Sequence, residues 1–110
     1  MRRPALALLV LTAGCTPRAE AAYQREIDCF AFFYGVPPTS GSSEAVAARA
    51  AYRDRAIAQG RVTGRTPEDV EAQARGEHAE FQAMLNGMGA HSAEEVQEQK
   101  HAVCVERLRT

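Results

Sequence analysis

The chain has 110 residues, 13 of them basic and 14 acidic, with a formal net charge of -1. That balance excludes the one-signed field of a nucleic-acid binder, and the length excludes more than one domain. With no Trp and only four Phe, a core drawn mainly from Ala, Val and Leu is thin, and small domains with thin cores often need a staple.

The N-terminus reads Met1-Arg2-Arg3-Pro4 and then runs apolar from Ala5 to Leu11. Two positive charges before a short apolar run form a secretory signal pattern. The run is far shorter than the roughly 20 residues that a membrane-spanning helix needs. Thr12-Ala13-Gly14-Cys15 follows. This stretch resembles the lipobox of bacterial lipoproteins, with Thr12 where that family usually has Leu and Leu11 one place earlier. The resemblance covers residues 1–15 only. It implies a signal peptide over residues 1–14, a diacylglycerol on the Cys15 sulfur, and a lipid-anchored tether over residues 15–22. The helical domain, residues 23–110, would then sit on the periplasmic side of a bacterial membrane. The alternative is cleavage after Ala21, since Ala19-Glu20-Ala21 fits an A-x-A site. That route leaves a soluble periplasmic protein, and both routes export the chain.

Export also explains an odd count of three cysteines. Once Cys15 is acylated or removed, Cys29 and Cys104 remain, and an oxidising compartment pairs them. Chain-entropy arithmetic gives roughly 4 to 5 kcal/mol for closing a loop of about 75 residues.

A helix is expected from about Ala19 to Tyr34, with Tyr23, Ile27, Phe30, Ala31 and Tyr34 as its buried stripe. Cys29 and Phe33 widen that stripe and Phe32 points away. Gly35 offers a left-handed cap, and Pro37-Pro38 stop the helix. Ser42 or Ser43 caps a second helix that runs to about Gln59, closed by Gly60, with Val46, Ala50 and Ile57 facing inward. Thr66-Pro67-Glu68-Asp69 starts a third, which carries Val70, Ala74, Phe81, Met84 and Leu85 on one face and ends at Gly87 and Gly89. Ser92-Ala93-Glu94-Glu95 reads as the capping box of a fourth, reaching about Arg107 and using Val96, Val103, Cys104 and Leu108. No segment alternates with the period of a strand. The expected fold is therefore all-α: a small four-helix array closed by a Cys29–Cys104 disulfide and preceded by a signal segment. Both cysteines lie past the middle of their helices, so the bond requires one helix to slide along the other or a less regular topology.

Chemistry is sparse in this sequence. Glu98 and His101 form one E-x-x-H, where di-iron bundles need two, and both are placed on the solvent face away from Val96 and Val103. His78 reads as a partly buried histidine with an ordinary hydrogen-bond partner, and His91 as a loop residue. No C-x-x-C-H is present for covalent haem. Met84 and Met88 read as core filling rather than haem ligands. Ser40, Ser42 and Ser43 lack a nucleophile-elbow context. No metal or cofactor is expected.

Arg49, Arg53, Arg55, Arg61 and Arg65 crowd the second helix and the loop after it. They form either an anion-facing patch for phospholipid headgroups or an acidic envelope partner, or internal charge complementarity with the acidic later helices. The resulting expectation is an exported envelope protein with a binding or structural role, no catalysis and no nucleic-acid partner. A periplasmic haem- or metal-binding bundle is the alternative.

Overall fold

The computed structural model describes residues 16–36 and 41–109. Residues 1–15, with the expected leader and Cys15, lie outside the described residues. The described chain is all-α, with four helices: α1 Pro17–Phe33, α2 Ser43–Val62, α3 Pro67–Asn86 and α4 Ala90–Arg109.

The first helix starts two residues before the expected Ala19, so most of the expected tether is helical. The local sequence explains this. Thr16 accepts from the Ala19 backbone N–H, Pro17 occupies the first turn and Glu20 faces the positive helix end. Gly35 is not left-handed; among the described residues the only positive φ is that of Gly64, at 84°. Gly35 is small because the His78 ring approaches it: a Cβ there would stand 2.6 Å from Nε2.

The second helix continues through Gly60 to Val62. Its buried line is Ala48, Tyr52, Ala56 and Gly60, not the expected Val46, Ala50 and Ile57. Three small residues let α2 come close, and Tyr52 supplies the volume. The Thr66 cap of α3 is as expected, and the Asp69 carboxylate accepts from the Thr66 N–H to complete a capping box. Hydrogen bonds from the Thr66 backbone and hydroxyl groups hold the Asp69 carboxyl below its ordinary range. Val70, Ala74 and Leu85 are buried, whereas Met84 is exposed. The fourth helix starts before Ser92, through an Ala93 N–H to Gly89 carbonyl bond. Ser92 is therefore a helical residue and not a cap.

Helix directions follow from cross-contacts. Along α1 and its cap and α2 and the turn after it, Tyr34 pairs with Arg49, Phe33 with Tyr52, Glu26 with Arg55 and Glu20 with Arg65, an antiparallel series. Between α1 and α3, Tyr23 meets Gln73, Ala31 meets His78 and Phe32 meets Phe81, so those two run parallel. Between α1 and α4, the Arg25 carbonyl meets Arg107, Cys29 bonds Cys104 and Phe33 meets His101, again antiparallel. The array is up-down-up-down.

The disulfide joins α1 and α4 with Cα atoms 5.6 Å apart. It achieves this through sliding. The register leaves residues 90–99 of α4 beyond the C-terminal end of α1, an overhang of about 15 Å at 1.5 Å per residue. α1 is the central element, contacted by all three others, and α4 packs lightly on α1 and α2. The core comprises Tyr23, Ile27, Phe30, Phe33, Tyr52 and Val70 together with small residues and the disulfide cysteines. Both buried tyrosines are satisfied: Tyr23 donates to Gln73 Oε1 at 2.7 Å and Tyr52 to the Cys104 carbonyl at 2.6 Å. Burial pushes both phenols above their ordinary range.

Candidate functional site, the cleft between the third and fourth helices

Consecutive helices in a packed hairpin stand 8–10 Å apart. α3 and α4 make few close approaches along their lengths. α4 is held to α1 by the disulfide in its C-terminal half and to α3 by the short turn at residues 87–89. Between α3 and α4 lies a cleft whose floor is the end of α1. Phe32 and Phe81 meet there edge to face with centroids 5.7 Å apart. Around them lie adjoining hollows of about 470 Å³ and 300 Å³ that share both rings. A further hollow towards the α3–α4 turn is lined by Leu85 and Met88.

Two histidines line the larger hollow. The His78 Nδ1 lies 3.0 Å from the Ala31 carbonyl oxygen and donates to it, which is the ordinary hydrogen-bonded role expected. His101 is a correction. It was expected on the solvent face, but it is half-buried, its ring 5.6 Å from that of Phe33 and its Nε2 3.8 Å from Glu44 Oε1. Val103, expected inside, is 47 % exposed. The disulfide accounts for both, since turning Cys104 towards α1 carries His101 inward and Val103 outward. Glu98 is exposed as expected. Among the described residues no three His, Cys, Asp or Glu side chains converge as a metal site.

Charge at the cleft is unequal. Asp28, Glu77, Glu80, Glu94 and Glu98 line its hollows, against Lys100 as the one permanent cation among the described residues. Lys100 is already engaged, its Nζ 2.6 Å from Asp28 Oδ2.

The five arginines singled out in the sequence lie elsewhere, along α2 and the turn after it. Arg49 donates to the Tyr34 carbonyl at 3.1 Å and stacks over the Tyr34 ring at 5.2 Å. Arg53 pairs with Glu71, and Arg55 lies 3.8 Å from Glu26 and over Tyr52. Arg65 takes both Glu20 oxygens at 3.2 and 2.7 Å and stacks 4.0 Å over Tyr23. The hydrogen bond from Arg65 holds the Glu20 carboxyl below its ordinary range. Arg61 is exposed in the last turn of α2. Four of the five thus contact separate protein partners. Sequence reasoning missed the cleft itself. Phe32 pointing away from the main stripe was its one visible sign.

No family model matches the chain, and no curated protein or solved structure shows significant similarity to it.

Proposed function

We propose that the protein is an exported, lipid-anchored helical protein of the bacterial cell envelope with a binding or structural role and no catalysis. The observation that carries this reading is the Cys29–Cys104 disulfide between the first and last helices. Such bonds persist in oxidising compartments and are rare in reducing ones. The signal-like N-terminus and Cys15 agree with it.

The extent of α1 favours anchoring at Cys15 over cleavage after Ala21. A cut after Ala21 falls inside α1. It would remove the Thr16 cap and the Glu20 carboxylate that holds Arg65. A cut before Cys15 leaves the helix whole.

Cell fractionation of wild type and Cys15→Ser, with intact mass of the recovered protein, tests the reading. The wild type should be membrane-bound, begin at Cys15 and carry an acyl mass, and Cys15→Ser should lose the membrane fraction. Equal membrane recovery of the two would refute the anchor. A soluble wild type beginning at Ala22 would refute it while preserving export. Chains beginning at Met1 with titratable thiols in the cytosol would refute export.

A further inference from the structure

We propose that the cleft between α3 and α4 is a docking groove for a cationic amphipathic helix supplied by another protein. The proposal deepens the binding role above and rests on it for where the partner is met. Its chemistry comes from the cleft alone.

Three features of the cleft select this occupant. The first is an apolar floor of the right kind. Phe32 and Phe81 are half-buried, and Met84 and Met88, 47 % and 37 % exposed, extend the floor along the α3 side. Aromatic and methionine side chains form adaptable grooves into which the apolar face of a helix can lie. The second is room. α3 and α4 make few close approaches along their lengths, and residues of both line the hollows between them. The third is charge. Glu77 and Glu80 on one wall and Glu94 and Glu98 on the other present carboxylates on both rims. A helix with an apolar stripe flanked by Lys or Arg meets all of these at once. An anionic helix meets repulsion on both sides.

Placement argues for a protein and against the lipid surface. The floor of the cleft is the C-terminal end of α1, and the anchoring Cys15 precedes its N-terminal end. Seventeen residues of helix put the floor roughly 25 Å along α1 from that helix's N-terminal end.

The test is a titration of processed protein, in non-ionic detergent where acylated, with labelled amphipathic peptides of about 18 residues, or five helical turns. One peptide is built from Leu and Lys, the other from Leu and Glu in the same pattern. Binding to micelles alone is subtracted. The cationic peptide should bind at least about 10-fold more tightly than the anionic one, and its affinity should fall with added salt. The double variant Glu80→Lys with Glu94→Lys should lose at least about 10-fold of that affinity. Asp54→Lys, an exposed reversal on α2, should change it little. Met84→Lys should weaken it without disturbing helicity or the disulfide. Equal affinity for the two peptides, no binding, or equal losses from the Asp54 and rim reversals would overturn the proposal. So would a concentration-dependent dimer abolished by the rim variants, which would make the occupant a second copy of this chain. None of these readouts depends on cellular location, so the docking and envelope readings can fail separately.

Discussion

Gly60 has no side chain because the core leaves no room for one. A Cβ there would meet Val70 Cγ2 at 2.8 Å and the Tyr23 ring at 3.3 Å. Gly76, also within a helix, has nothing within 4 Å of its would-be Cβ. The same substitution should therefore act with opposite signs. Gly60→Ala should destabilise the fold by about 1–3 kcal/mol through overpacking. Gly76→Ala should stabilise it by about 0.5–1 kcal/mol through helix propensity and unfolded-state entropy. Urea unfolding of both variants checks this, and a shift in the same direction would contradict the tight seam between α1, α2 and α3. At this scale the sequence is silent, since it offers Gly60 as a helix stop and Gly76 as a glycine within the third helix, with no sign of how close the next helix lies. Only the neighbour across the interface separates them.

The helices themselves were largely legible, because their ends are written in capping chemistry. Thr66 is the clearest case, and Thr66→Ala should cost about 1 kcal/mol in chemical denaturation. An unchanged midpoint would mean that the reciprocal bonds with Asp69 add nothing. The same grammar opens α1 at Thr16-Pro17 with Glu20 in the first turn, in a stretch whose small and polar residues also suit a tether. Faces were less legible than ends. The buried line of α2 consists of Ala48, Ala56 and Gly60 around Tyr52. Small residues carry little hydrophobic weight, so the bulkier Val46 and Ile57 drew the expectation. In α4, the rotation that buries His101 and exposes Val103 is imposed by the covalent bond at Cys104, and periodicity within one helix cannot report it. The cleft was invisible for the same reason, since it lies between helices and not within one.

For the molecule as a whole, the disulfide does two things: it restrains the unfolded chain and it holds the most lightly packed helix. Sequence separation across it is 75 residues, which corresponds to roughly 4 to 5 kcal/mol before native strain. Cys29→Ala should therefore lower the melting temperature by at least about 10 °C in oxidised protein. Hydrogen exchange should quicken first in α4, whose contacts with the rest are the fewest. An unchanged melt, or exchange that quickens evenly over all four helices, would show that α4 is held by packing alone. Lys100 and Arg107 near Asp28, His101 beside Phe33 and Glu44 and the Tyr52 bond to Cys104 are among the other ties, and the ion pairs are half-exposed and individually weak.

The bridge also changes what a broken backbone means. A protease that nicks the α3–α4 turn severs the peptide chain but frees nothing, because the downstream piece still hangs from Cys29 through sulfur. Such a molecule keeps its mass, apart from one added water, until a reductant arrives. Damage to the outermost part of the fold and its loss are thus separate events, the first hydrolytic and the second requiring electrons.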